Sequence, residues 1–310
     1  MHSRNFSDFT RYLAAKKTVD DRALNKSVLQ SLIEVIGPAS EDENFSILEI
    51  GAGIGTMIER VLEWGIVFAG EYTALDAEPS NVAEAETRLP TWAERQGYRV
   101  HRISPRDIQI TRDAQRLRVL LEVGDVFDFM RRVQGQRRWD LLIANAFLDL
   151  VDVPTSLPKL FSLIRPGGMF YFTIVFDGGT FFEPTIDYEL DGRIETLYHR
   201  TMDTRIINGN PSGDSRTGRH FFAAARCAGA EIIDAGASDW VVFPGSHGYA
   251  GDEAYFLHFI VETVGEALRD HPELDPQALE RWLEERHKQI DRAQLVYVAH
   301  QLDFLGRIPM

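Results

Sequence analysis

The chain has 310 residues, 44% of them hydrophobic and 26% charged, which is the composition of a globular protein able to bury a core without disulfides or metal. A net charge of −14 argues against nucleic acid as a partner, since that affinity rests on Lys and Arg neutralising phosphates. One cysteine, Cys227, rules out an internal disulfide framework, and no apolar run approaches the ~20 residues that cross a bilayer. The opening stretch MHSRNFSDFTRYLAAKK is charged and too broken for a signal peptide, so a cytoplasmic protein is expected, with no membrane partner.

Residues 1–40 read as helical, with Asp20 and Asp21 expected to cap a helix that carries Leu24, Val28, Leu32 and Ile36 and ends at Gly37-Pro38. A first strand, Ser46–Ile50, runs directly into Gly51-Ala52-Gly53-Ile54-Gly55, and a helical pattern (Met57, Ile58, Val61, Leu62) follows at once. Glycines there let a ligand approach the main chain closely, and the helix start offers unpaired N–H groups. A second strand, Tyr72–Leu75, ends at Asp76; the helix after Pro79 is expected to stop or kink at Pro90. Tyr98–Ile103 and Asp107–Thr111 read as a hairpin inserted at a sheet edge, and Leu117–Val123 as a third core strand ending at Gly124-Asp125. Strand four is Asp140–Ala144. A helix from about Pro154 to Ile164 leads through Arg165-Pro166-Gly167-Gly168 to strand five, Met169–Phe176, apolar on both faces. An insertion, Asp177–Ser215, carries a helix at about Ile186–Arg205. Helix Arg216–Ala228, strand Glu231–Asp234 continuing through Trp240–Phe243, a helical pair and a last strand, Leu295–Leu305, complete the chain. Strands alternating with helices predict an α/β fold with a doubly wound, mostly parallel sheet. The expected organisation is an N-terminal helical lid (1–40), a nucleotide-binding core (41–176), an insertion or cap (177–215) and a C-terminal completion of the sheet (216–310) with a helical insertion at about 244–293.

The glycine loop narrows the ligand. A dinucleotide fingerprint reads G-x-G-x-x-G, whereas here Gly51, Gly53 and Gly55 alternate and Glu49 precedes them on the strand. A carboxylate there disfavours a pyrophosphate and suits a cation. The pattern E-x-G-x-G-x-G resembles the first motif of the class I SAM-dependent methyltransferases, and EYTALDAEPS, LEVGDVFDF, WDLLIANAFLDL and LPKLFSLIRPGGMFYF resemble that family's later segments in order. The resemblance covers about residues 45–176. It implies a Rossmann-like sheet of seven strands in the order 3-2-1-4-5-7-6 with helical lid insertions, and S-adenosyl-L-methionine as cofactor, released as S-adenosyl-L-homocysteine. It also implies a cofactor-binding set of Glu49, Gly51, Ala52, Gly53, Gly55, Asp76, Ala77, Asp125, Val126, Asn145 and Phe147. Within that set Asp76 would hold the ribose hydroxyls and Asp125 the adenine amino group; Asp76 also reads as a helix cap, which is compatible with that role, and Asp125 as a turn residue. No (N/D)-P-P-(Y/F) motif follows strand four, where the chain has Asn145-Ala146-Phe147-Leu148-Asp149. That lowers the odds of a planar amide or exocyclic amine as acceptor.

The acceptor should be a small molecule, bound beyond the carboxyl ends of the strands and methylated at oxygen or nitrogen. Arg216, Arg219, Tyr198 and Tyr255 are the candidates to bind it; His220 and His199 are the candidate general bases, having the right ordinary pKa. No metal is expected: zinc spacing is absent, and Asp149, Asp152 and Asp177 permit a hard cation without demanding one. Three rivals remain, namely a SAM-binding module without catalysis, an aminopropyl transferase on the same fold, and a nicotinamide dehydrogenase. The oligomeric state is not legible.

Overall fold

The computed structural model describes residues 8–207 and 209–310. Two helices come first, α1 (Phe9–Ala23) and α2 (Lys26–Ile36). The side chain of Asp8 accepts from Arg11 N to cap α1, and that of Asn25 accepts from Ser27 N and Val28 N to cap α2. Asp20 and Asp21, expected as caps, lie inside α1 and pair with Lys16 and Lys17 one turn earlier. The remainder of the chain forms β1 (Ser46–Ile50), α3 (Thr56–Glu63), β2 (Ala69–Asp76), α4 (Pro79–Arg95), β3 (Arg99–Ser104), β4 (Asp107–Arg112), β5 (Gln115–Val123), α5 (Val126–Val133), β6 (Trp139–Asn145), α6 (Val153–Phe161) and β7 (Ile164–Glu183). Next come α7 (Tyr188–Asp203), a short pair β8 (Ile206–Ile207) and β9 (Asn210–Pro211), α8 (Thr217–Cys227), β10 (Glu231–Ala237), β11 (Trp240–Val242), α9 (Glu253–Leu268), α10 (Pro276–Asp291) and β12 (Val296–Arg307). α4 runs through Pro90 rather than ending there.

The central sheet has ten strands, in the path β10-β12-β7-β6-β1-β2-β5-β4-β3 with β11 paired to β12 off that path. The expectation of seven strands in the order 3-2-1-4-5-7-6 is therefore corrected. Hairpin β3-β4 extends one edge antiparallel to β5, and β11 adds a short strand on β12. β5, β2, β1, β6 and β7 pair in parallel, and β12 returns antiparallel along β7.

Three apolar cores follow from this topology. On one face, Ile47 of β1 packs with Val28, Leu32 and Ile36 of α2, with α3, and with Val82, Ala85 and Leu89 of α4. On the other, Leu48 and Ile50 pack with Phe129 of α5, Leu157 and Leu160 of α6 and Phe221 of α8. Successive strand residues point to opposite faces, so burial of both faces explains the unbroken apolar run of β1. The third core forms a cap beyond the carboxyl ends of the strands. It joins Tyr12 and Val19 of α1, Leu197 of α7, Phe256 of α9, Trp282 of α10, Trp240 of β11 and the distal parts of β7 and β12. The ribbon carrying this cap is β7, which is 20 residues long and passes beyond β6 to pair with β12 as far as Glu183. At the point of departure the register shifts opposite Asp303. Ile174 takes φ +56 there, a left-handed conformation that strains a β-branched residue. The Asp303 carboxylate holds it, accepting from Ile174 N at 2.8 Å and from Asn25 N at 2.7 Å; burial pushes this carboxyl up to about 6. Among the described residues no helix is long and apolar enough to cross a membrane.

Candidate functional site

The glycine loop leaves β1 with Gly51 at φ +66, Gly53 at φ +55 and Gly55 at φ +82, the last forming the N-terminal cap of α3. These conformations need glycine, and they leave three of the five loop positions without side chains, Ala52 and Ile54 being buried. Neighbours close over it: a Cβ at Gly51 would sit 2.9 Å from the Phe147 ring, and one at Gly53 would sit 3.2 Å from Leu13 of α1. Beside the loop opens a narrow cleft lined by Ala52, Gly53, Gly55, Ala74, Asp76, Val82, Ala85 and Leu121. It has one polar end, Asp76, and otherwise apolar walls.

Asp76 is the polar end. Its Oδ2 accepts from Gly53 N at 2.7 Å, and its Oδ1 accepts from Glu78 N at 2.9 Å and from Asn81 Nδ2 at 3.0 Å. An ionised carboxylate has about four acceptor positions, so the loop and the start of α4 use most of them. Asn81 is the residue that sequence reasoning missed here. It is buried, and its Oδ1 has no hydrogen-bond partner among the described residues. A buried acceptor left unpaired is costly, and this one lies beside the carboxylate expected to meet two hydroxyls. The only signal for it in the sequence was an asparagine five residues after the strand-end acid. Gly124 N donates to Asp76 O, which draws the end of β5 against the same cleft. Asp125 is exposed and caps α5, its Oδ1 accepting from Phe127 N and Asp128 N; Oδ2 is the atom left for a ligand. Val126 is buried in the core under α5, whereas Ala77 is exposed.

Glu49 does not line the cleft. It is buried, accepts from the Tyr72 hydroxyl at 2.8 Å, and burial pushes its carboxyl up to about 8, with the Arg60 charge pulling the other way. Arg60 is itself fully buried and bonds Asp21 of α1 at 2.6 Å. This polar layer between β1 and α1 pins the lid helix over the loop.

At the end of β6 the chain turns at Ala146, φ +50, into Phe147 and Asp149. Two buried oxygens here lack partners among the described residues, Asn145 Oδ1 and Asp149 Oδ1. Asp149 lies close enough to Tyr198 and Tyr12 for its charge to raise both hydroxyls, which burial already pushes up, that of Tyr198 to about 12. Burial raises the Asp149 carboxyl, and Arg205 and Lys16 partly offset this. Lys16 is in turn paired with Asp20 at 2.7 Å, and Asp20 also accepts from Trp240 Nε1 at 2.9 Å. α1, the β6 turn and α7 thus meet at a buried junction next to the glycine loop. Tyr198 was expected at the acceptor; Tyr12, Lys16 and Asp149 in this role were not.

The other candidates lie apart from that junction. His220 is exposed on α8 with Nδ1 2.5 Å from Asp214. Arg219 is clamped to Asp177, donating from its backbone N at 2.8 Å and from Nε at 2.9 Å. Arg216 is exposed at the start of α8 and close enough to His199 to lower its pKa. His199 is half-buried with Nε2 3.0 Å from Thr180 Oγ1 and its ring against Phe176; burial is the larger cause of its lowered pKa. Tyr255 packs at the start of α1, its hydroxyl 3.2 Å from both Asp8 N and Asp8 O. Among the described residues no group of three His, Cys, Asp or Glu side chains is placed to hold a metal ion.

No protein-family model and no curated protein matches the chain. Solved structures do align with it. One, from Galdieria sulphuraria and provisionally described as a sarcosine dimethylglycine methyltransferase, aligns over 92% of this chain and 84% of its own at 14% identity and a TM-score of 0.43. Phosphoethanolamine N-methyltransferase 2 of Haemonchus contortus, in complex with S-adenosyl-L-methionine, aligns over 99% of this chain and 60% of its own at 13% identity and a TM-score of 0.44. The cyclopropane synthase MmaA2 of Mycobacterium tuberculosis aligns over 98% and 100% at 9% identity and a TM-score of 0.42. Likenesses at this level assign no activity to the chain.

Proposed function

We propose that this protein is a cytoplasmic SAM-dependent methyltransferase acting at oxygen or nitrogen of a small-molecule acceptor. The observation that carries the reading is the narrow cleft in which Asp76 stands against the glycine loop, with the unpaired Asn81 Oδ1 on the side chain that donates to Asp76. When bound there, S-adenosyl-L-methionine supplies a methyl group already activated on a sulfonium. Asp76 and Asn81 accept from the ribose hydroxyls. Asp125, through the oxygen its helix leaves over, accepts from the adenine amino group. Phe147 and Leu13 cover the loop and keep water from it.

The acceptor's place in this reading is beside Phe147, where α1, the β6 turn and α7 meet. Tyr12 and Tyr198 stay protonated at neutral pH because burial raises both hydroxyls, so they position the acceptor as hydrogen-bond donors. Asp149, with a raised pKa and an unpaired buried oxygen, takes the proton the acceptor loses. This replaces His220 and His199 as the favoured general base. Lys16 and Arg205 bring positive charge near Asp149, which counts against a polyamine and hence against aminopropyl transfer. A non-catalytic module has no use for a buried carboxyl oxygen left without a hydrogen-bond partner.

Calorimetry with S-adenosyl-L-methionine, S-adenosyl-L-homocysteine and NAD tests the reading. Micromolar binding of the first two is expected, with Asp76→Ala and Asn81→Ala each weakening it by about 1–3 kcal/mol. Binding of NAD without S-adenosyl-L-methionine overturns it.

A further inference from the structure

The cap holds a second cavity, of about 310 Å³, between the distal end of β7, the first turns of α7 and one face of α10. That is the lower end of the ~300–1,000 Å³ range typical of small-molecule sites, and none of its lining residues belongs to the glycine-loop cleft. Among the described residues the only base on its wall is Arg286, fully buried and bonded to the framework through both terminal nitrogens, with Nε left without a partner. Its Nη2 bonds Asp191 at 2.8 Å, its Nη1 bonds Pro184 O at 2.7 Å and Gln289 Oε1 at 2.8 Å, and its guanidinium lies over Trp282 and Phe182. Asp191 is equally committed, since it also accepts from Trp282 Nε1.

What remains is two carboxyls and two rings. Both Glu183 and Glu195 line the cavity, and among the described residues neither has an ion-pair partner; Glu183 accepts from Thr185 N at 2.7 Å and Glu195 from the backbone of Thr180. Burial raises the Glu195 carboxyl, and a cation beside it favours the charged form. Phe181 and Tyr188 are 51% and 88% exposed, and among the described residues neither stacks on another aromatic ring nor receives a cation. Anions are disfavoured: the start of α7, which could attract one, is capped by Asp187 and carries Glu189 and Asp191 in its first turn. A neutral apolar ligand would gain nothing from the carboxyls. Aromatic faces combined with negative charge suit a positive group with an alkyl surface.

We propose that this cavity binds an organic ammonium ion, with Phe181 and Tyr188 packing on its alkyl groups and Glu195 and Glu183 balancing its charge. The site does not depend on the methyl-transfer reading. Thr180, on its wall, is 3.0 Å from His199 Nε2, which places that histidine behind this cavity.

Choline and its uncharged isostere 3,3-dimethylbutan-1-ol are the probes, titrated by calorimetry into the full chain. Saturable choline binding with a Kd of about 1 mM or tighter is expected, with the alcohol at least about tenfold weaker. Glu195→Gln and Tyr188→Ala should each weaken choline about fivefold or more and leave the alcohol unchanged. Glu189→Gln, on the same helix but off the cavity wall, should have no effect. Tyr188 is so exposed that its loss cannot unfold the chain. Equal binding of the two probes, no choline binding, or choline binding that survives Glu195→Gln and Tyr188→Ala overturns the proposal.

Discussion

Asp149 and Glu49 are both carboxyls removed from water, and their partners separate their tasks. Glu49 has a neighbour that satisfies it, the Tyr72 hydroxyl, so it belongs to the architecture under the lid. Its folded pKa of about 8 lies above the ordinary 4.5, so the folded chain binds the extra proton between those values. The stability it contributes is present in full below about pH 4.5 and is lost as the pH rises toward 8. Glu49→Gln keeps an acceptor for Tyr72 and removes the titration. The melting temperature of the variant should therefore fall less between pH 5.5 and 8.5 than that of the natural chain; an equal fall would mean that Glu49 does not titrate in this window. Asp149 has no such partner on Oδ1. Asp149→Asn keeps the shape and loses the proton acceptor, so turnover should drop about 10²-fold or more while calorimetric affinity for S-adenosyl-L-methionine is retained. Unchanged turnover removes the base role. The sequence places Asp149 near the right strand end, in Asn145-Ala146-Phe147-Leu148-Asp149. That it is left unpaired depends on how α1 and α7 pack over it, which no local pattern encodes.

At the scale of elements, α1 decides whether the glycine loop is covered. Its inner face carries a buried charge layer: Lys16 with Asp20, and Arg60 of α3 with Asp21 and, at 3.6 Å, with Asp20. Asp20→Ala leaves Lys16 and Arg60 short of a buried counter-charge and should cost about 3–5 kcal/mol in chemical denaturation. A cost below about 1 kcal/mol would return the pair to the status of a surface contact. The same residues show where element reading from sequence works and where it stops. β1, the glycine loop and α3 are legible because strand, turn and helix signals lie within one short window. Asp20 and Asp21 were read as caps because capping preference is local, whereas their true partner, Arg60, is about forty positions away and Asn25 does the capping. Pro90 was read as a breaker, yet it is buried within α4, so packing of the helix outweighs one missing backbone bond. The hairpin β3-β4 is readable from the turn chemistry between its strands. The reach of β7 to Glu183 was not, because its second half is held only by β12, more than a hundred residues further on.

At the scale of the whole molecule, this reach makes the cap and the sheet one body. β7 and β12 pair from Met169–Arg307 in the sheet to Glu183–Val296 in the cap, with two register shifts between. Each strand thus contributes side chains to more than one core: Phe170 and Phe172 pack under α8, while Ile174 and Phe176 pack in the cap. Asp303 locks the junction, since its two oxygens tie Ile174 of β7 to Asn25 at the start of α2. Separating the cap from the sheet would expose Ile174 and Phe176 and break the ladder in mid-strand, so no weak linker offers a place for one part to melt alone. The chain should then unfold in a single cooperative step. Trp240 and Trp282 lie in the cap core, so the variant Trp64→Phe, Trp92→Phe, Trp139→Phe leaves fluorescence reporting on the cap, while far-UV circular dichroism reports on the whole. Both signals should give one denaturant midpoint. A fluorescence transition that precedes the dichroism change would show the cap unfolding first, and the β7–β12 ribbon would then be a hinge rather than a shared spine.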